Sequence, residues 1–173
     1  AGSSIGVHKA QTAKELTQAL ASAFQQDSTV LIEQAVDGRE IELAVLGSSA
    51  DSRVSTAGGI ISSSDFYDYD SKYSRTSQSR IAIPAALDPT ILAALQEYTL
   101  TAYRAINGQG MARVDFFVTA DNRLFLNEIN SIPGFTSISM YPKLWQAAGV
   151  PLASLLDQLI TQATLANTPD PGV

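Results

Sequence analysis

The chain has 173 residues, 45% of them hydrophobic and 16% charged, enough to bury the core of one ordinary domain or two small ones. A formal net charge of -6 with no Lys/Arg cluster argues against a nucleic-acid partner. No apolar run approaches the roughly 18 residues that span a bilayer, no secretory signal opens the chain, and the absence of cysteine excludes disulfides, thiolate catalysis and zinc–thiolate sites.

The chain opens on a glycine/serine segment, Ala1 to Gly6, without an initiator Met, and is expected to be a piece of a longer polypeptide. Thr12 and Glu15 have capping-box spacing, each side chain able to bond the other end of the first turn. Leu16, Leu20 and Phe24 then recur at helical spacing, which predicts a helix over 13–26. Val30 to Gln34 reads as a short apolar strand, and Asp37 and Gly38 as a turn. In Glu40 to Leu46 the alternation of Ile41, Leu43 and Val45 predicts a half-buried strand. Residues 48–80 are rich in Ser, Gly, Asp and Tyr and keep no period. They read as one long loop, the kind that often serves as a lid, with the mobile part expected over about 62–80.

Asp88 and Pro89 supply an N-cap and a first helical residue. Ile91, Leu92, Leu95, Thr99, Ala102, Tyr103 and Ile106 form the inward stripe of that helix, and Gly108 ends it. A hairpin follows, from Ala112 to Thr119 and back from Arg123 to Asn130. Pro142 to Ala148 reads as a short helix. Pro151 starts the last helix, with Leu152, Leu155, Leu156, Leu159 and Ile160 inward, and the tail from Thr168 frays. Trp145 and that leucine stripe read as core, and the lone His8 as a surface residue. Helices and antiparallel strands in this order define an α+β class, with helices packed on a mixed, largely antiparallel sheet.

The hairpin carries the chemistry. A two-residue loop at Asp121 and Asn122 would place Thr119 opposite Leu124, Phe117 opposite Leu126, Asp115 opposite Glu128, and Arg113 opposite Asn130. One face then begins apolar near the turn and ends in Arg, Asp, Glu and Asn. Facing carboxylates repel by up to about 1 kcal/mol on a sheet, so a compensating cation is needed. Arg113 supplies one, in a plain surface ion-pair ladder. A divalent metal supplies another, since Asp, Glu and Asn are the hard oxygen ligands that magnesium prefers. Both readings stand on the hairpin alone, as does a one-residue slip of register.

The segment GMARVDFFVTADNRLFLNEINSIPGFTSIS, Gly110 to Ser139, resembles the C-terminal signature of the D-alanine–D-alanine ligases, members of the ATP-grasp superfamily. AGSSIG, Ala1 to Gly6, resembles their glycine-rich nucleotide loop. Glu33 through Glu40 resembles the hinge strand that holds adenosine, and FYDYDSKY, Phe66 to Tyr73, their mobile loop. The likeness covers nearly the whole chain. It implies an ATP-grasp fold, with residues 1–41 the remainder of a central ATP-binding subdomain and 42–173 the C-terminal catalytic domain.

The resemblance further implies a cytoplasmic enzyme of peptidoglycan precursor synthesis, a homodimer at full length, that joins two D-alanines through an acyl phosphate. ATP and two magnesium or manganese ions are the implied cofactors. Asp115, Glu128 and Asn130 are the implied metal ligands. Arg113 and the Gly134 N–H are expected to stabilise the developing charge. Glu33, the backbone of Ala35, and Glu40 are expected at adenine and ribose, and Lys72 at the phosphates. Ser3 and Ser4 order the nucleotide loop, Ser3 touching Tyr73, whose presence favours D-alanine over D-lactate. Ser139 and the Met140 N–H are expected at the second D-alanine carboxylate. Where relatives place an aromatic residue, this chain has Ala35. The N-terminal domain of the family and its two upstream lysines are not in this sequence, so the chain alone is expected to be inactive. The competing readings are an ATP-grasp ligase for another amino or hydroxy acid, and a nucleotide-binding module without catalysis.

Overall fold

The computed structural model describes residues 5–61 and 80–166. Ser3, Ser4, Lys72, Tyr73, nearly all of the expected lid and the tail from 167 lie outside the described residues. The chain divides into two compact units, one holding the described residues 5–37 and Arg80, the other the described residues 38–61 and 81–166.

The first unit is built on helix α1 (Ala13–Ala23). Its N-cap, Thr12, accepts from the Glu15 N–H at 3.2 Å. The Glu15 carboxylate reaches back one residue further than a capping box requires and takes the Gln11 N–H at 2.7 Å. The helix ends three residues before the expected position 26, in a turn. Leu16 and Phe24 of its apolar stripe are exposed. The strand expected at Val30–Gln34 is absent: these residues pair with no strand among the described residues, and Leu31 is 81% exposed. A strand is defined by its ladder, and an apolar run without a partner does not form one.

The second unit is a five-stranded sheet of order β3-β2-β1-β4-β5. Its strands are β1 (Arg39–Gly47), β2 (Ser52–Ile61), β3 (Arg80–Ala82), β4 (Met111–Val118) and β5 (Leu124–Asn130), and the β1–β2, β1–β4 and β4–β5 pairs are antiparallel. Helix α2 (Pro89–Ala105) covers one face, while α3 (Met140–Ala147) and α4 (Leu152–Ala166) pack on the other.

Strand β1 is central, and its burial corrects the half-buried expectation. Ile41, Leu43 and Val45 pack with Leu95 and Tyr103 of α2. On the opposite face Ala44 and Leu46 pack with Met140, Leu144 and Trp145 of α3. A strand flanked by helices on both sides is apolar on both sides at its covered end.

Strands β2 and β3 correct the expectation of one long loop over 48–80. The composition of β2 explains the miss: Ser52, Ser55, Thr56, Ala57, Gly58 and Gly59 give no apolar period. Small residues are required there because α3 lies close. A Cβ added at Gly58 would stand 2.8 Å from Leu144 Cδ2 and 3.0 Å from Met140 Sδ. Ser55 is buried at the irregularity between Leu43 and Val45, and its hydroxyl accepts from the Ala44 N–H at 2.9 Å. The β1–β2 turn needs glycine at position 47, where φ is +124° and a side chain would collide with the Asp51 carbonyl.

Helix α2 starts as expected, with the Asp88 carboxylate accepting from the Thr90 N–H at 2.8 Å. Leu95, Thr99 and Tyr103 are buried, but Ile106 is exposed, because the helix has ended at Ala105. Among the described residues of α4 only Leu155 is fully buried, with Leu159 packed beside it. Leu152, Leu156 and Ile160 face outward, which narrows the expected stripe. Trp145 is core, as expected.

Candidate functional site

The β4–β5 hairpin turns on three residues, not two. The Thr119 N–H donates to the Arg123 carbonyl at 3.0 Å, enclosing Ala120, Asp121 and Asn122, with Asn122 left-handed at φ 62°. Near the turn the pairs are therefore Val118 with Leu124, Phe117 with Phe125, and Phe116 with Leu126, each one residue off the expected register. An irregularity then falls between Asp115 and Phe116, and the ladder passes over Asn127. Beyond it Asp115 faces Glu128, Val114 faces Ile129 and Arg113 faces Asn130, as expected.

The passed-over residue reverses the inside–outside alternation of β5. Leu124 and Ile129, five positions apart, both pack on the α2 core, while Glu128 and Asn130 lie on the opposite face with Asp115. A strict period of two cannot do both.

On that face Arg113 makes a two-pronged bond to Asp115, Nε to Oδ1 and Nη2 to Oδ2, each at 2.7 Å. Glu42 approaches Arg113 from β1, Oε2 to Nε at 3.1 Å. The Asn130 amide donates to Asp115 Oδ2 and to Glu128 Oε1, both at 3.1 Å. Burial disfavours the Arg113 cation. The Asp115 hydrogen bond and the charges of Asp115, Glu42 and Glu128 outweigh it, so the guanidinium is held above its ordinary pKa.

The residues fit a divalent cation. Asn130 sets a donor between two carboxylates, where a cation would be attracted for the same reason. Rotating the amide offers its oxygen instead, an assignment that the hydrogen-bond network alone decides. Aspartate, glutamate and asparagine oxygens are hard ligands. Among the described residues no group of three or more His, Cys, Asp and Glu side chains forms a fuller cage. Magnesium readily keeps water or phosphate oxygens beside a small number of protein ligands.

The other expected residues fall as follows. Glu33 and Ala35 are exposed in the first unit, outside any helix or strand. Glu40 is half-buried on β1, opposite Phe117, beside a shallow cavity of about 90 Å³ that Arg39, Gly59 and Ala82 also line. Gly134 lies against Ser139: a Cβ there would stand 3.0 Å from the Ser139 hydroxyl. Ser139 is the N-cap residue of α3, and its Oγ accepts from the Thr136 N–H at 2.9 Å rather than capping the helix. Met140 buries its side chain in the core, so its main chain, at the start of α3 where N–H groups lack helical partners, is what it can offer a ligand.

Sequence reasoning missed Glu42. The signal was present, because a glutamate inside the otherwise apolar IELAVLG is out of place in a strand interior.

A sheet with helices on both faces and this charged hairpin at one edge is the C-terminal part of an ATP-grasp fold. The family described as D-ala D-ala ligase C-terminus matches residues 1–161, and the chain belongs to that family. Curated relatives include the D-alanine–D-alanine ligase of Sodalis glossinidius, 49% identical over 94% of this chain and 44% of its own length. That of Oceanobacillus iheyensis is 44% identical over 98% of this chain and 46% of its own. The chain thus spans less than half the length of these relatives. Solved structures agree. The D-alanine–D-alanine ligase of Coxiella burnetii superposes with a TM-score of 0.80 at 38% identity, over 92% of this chain and 41% of that one. The VanG D-Ala:D-Ser ligase of Enterococcus faecalis superposes at 0.83 and 38%, over 93% and 46%. The D-alanine–D-alanine ligase of Bacillus anthracis complexed with ATP superposes at 0.78 and 28%, over 94% and 52%. Among the described residues no helix is long and apolar enough to cross a membrane.

Proposed function

We propose that the full-length protein carrying this chain is a cytoplasmic D-alanine–D-alanine ligase, driven by ATP and working as a homodimer. The observation that carries the reading is the convergence of Arg113, Asp115, Glu128 and Asn130 at one end of the hairpin, in a chain whose curated relatives are named for that activity.

The reaction has two steps. A carboxylate oxygen of the first D-alanine attacks the γ-phosphorus, and the bond to ADP breaks. The amine of the second D-alanine then attacks the acyl carbon and loses a proton, and phosphate leaves. Asp115, Glu128 and Asn130 would hold the divalent ions, which would supply neutralisation of charge on phosphate oxygens. Arg113 is held as a cation by the surrounding carboxylates and faces the charge that develops on the transferred phosphoryl and at the acyl carbon. The Gly134 N–H adds a donor. The Met140 N–H, beside Ser139, binds the second substrate's carboxylate at the α3 N-terminus.

Glu33, the Ala35 backbone and Glu40 bind the nucleoside, Ser4 orders the nucleotide loop, Ser3 pairs with Tyr73, and Lys72 meets the phosphates. Residues 1–41 complete the central subdomain and 42–173 form the catalytic domain. The N-terminal part of the protein supplies the rest of the first D-alanine site.

The VanG likeness supports a second reading, in which D-serine replaces the second D-alanine. Phosphate release by the full-length protein with ATP and magnesium separates the two. D-alanine alone sustains it under the first reading, and added D-serine is incorporated into the dipeptide under the second. No release with either would sink both.

A further inference from the structure

We propose that Glu42 is a positioning residue for Arg113, holding the guanidinium from the β1 side when a divalent cation takes Asp115. The inference rests on the metal and Arg113 roles given above. Glu42, Asp115 and Glu128 form one row across three strands: Glu42 pairs with Asp115 in the β1–β4 ladder, and Asp115 with Glu128 in the β4–β5 ladder. The adjacent row is Ala44, Arg113 and Asn130. Arg113 thus has a methyl group on its β1 flank, and no bulky side chain there separates it from Glu42.

Asp115 carries two demands on the same oxygens. Both accept from Arg113, and Oδ2 also accepts from Asn130. A cation bound by Asp115 competes for those lone pairs and repels the guanidinium. Arg113 then needs a second anion. Glu128 and Asn130 lie on the metal side, so the anion has to come from the other flank. Glu42 is there already, 3.1 Å from Nε. It is only 7% exposed, a costly position for a carboxylate unless a cation matches it. Its neighbours along β1, Ile41, Leu43 and Ala44, are buried and apolar, so no packing reason calls for an acid. Glu42 does not join Asp115 and Glu128 in a three-carboxylate cage; it is directed at the arginine.

The test uses the full-length protein, with Mn2+ binding followed by its paramagnetic resonance signal and steady-state kinetics alongside. Glu42→Gln is expected to lower kcat by about 10- to 100-fold, the range seen when an outer-shell partner is removed, with KM for ATP within about threefold. Mn2+ still binds, but more weakly, because Arg113 then leans more heavily on Asp115. Glu42→Asp keeps the charge and draws it back, so kcat falls less, by about severalfold, and Mn2+ affinity is unchanged. That variant carries the test if Glu42→Gln does not fold. Normal kcat in both variants, or a drop in melting temperature with unchanged kcat per folded site, overturns the proposal while leaving the metal site standing. If Asp115→Asn leaves Mn2+ binding intact, the metal reading fails first and this inference fails with it.

Discussion

Glu128 stands opposite Asp115 because the β4–β5 ladder passes over Asn127. Deleting Asn127 should therefore heal the ladder rather than disturb it. The register set by the turn would bring Glu128 directly opposite Asp115 and keep Ile129 toward the core. The deletion variant is expected to fold and to retain Mn2+ binding. Loss of binding in a folded variant would show that the irregularity itself shapes the site.

Glu128→Gln should separate binding from stability. Glu128 is exposed and faces another carboxylate, so neutralising it relieves repulsion, and metal-free stability should stay within about 0.5 kcal/mol of the parent or rise. Mn2+ binding and ligase turnover should nearly vanish. Melting curves with and without Mn2+ make the comparison: the parent gains stability from the ion and the variant does not. An equal gain in both would remove Glu128 from the ligand set.

Gly58→Val should reach the site through α3. The new side chain enters space held by Leu144 and Met140, and overpacking of this kind costs about 1–3 kcal/mol. Because Met140 opens α3, displacement of the helix should also raise KM for the second D-alanine more than KM for ATP. A variant as stable as the parent would mean that α3 packs more loosely than its contacts indicate.

Tyr103 donates its hydroxyl to the Gly47 carbonyl at 2.8 Å, and burial pushes its pKa up to about 12. Burial disfavours the phenolate, so the folded pKa lies above the unfolded value of about 10. The stability linked to the neutral hydroxyl is complete below about pH 10 and is lost as pH rises toward the folded pKa. Tyr103→Phe should cost about 1–3 kcal/mol at neutral pH by leaving the Gly47 carbonyl without its donor. It should also delete one late-titrating phenol from the tyrosinate absorbance curve; an unchanged curve would refute the assignment.

The sequence was most legible where side chains alone decide the structure. Thr12 and Asp88 mark helix starts by their chemistry, and the Arg113-to-Asn130 end of the hairpin is paired as its charges suggest. The expected register was right there for a reason outside the reading: the turn is one residue longer than expected, and the residue passed over at Asn127 takes up the difference. What could not be read depended on partners. Strand β2 is made of small residues because α3 lies on it, and nothing in Ser52–Ile61 announces a helix some eighty positions later. Val30–Gln34 has strand composition and no ladder. Glu42 is out of place in an apolar strand, but its partner Arg113 can be named only once the β1–β4 pairing is known.

Strand β1 has a further consequence for how this part of the protein can change. Its odd positions, Ile41, Leu43 and Val45, belong to the α2 core, whereas on the opposite face Glu42 pairs with Asp115 of the charged hairpin, ahead of Ala44 and Leu46 in the α3 core. Two independent vocabularies are therefore interleaved on one ribbon. Exchanges among aliphatic residues at the odd positions can retune thermal tolerance without rewriting the chemistry. An exchange at Glu42 edits the chemistry while leaving the α2 core as it was. Directed evolution for hardiness thus has a safe alphabet within an otherwise constrained strand, and it occupies every second letter.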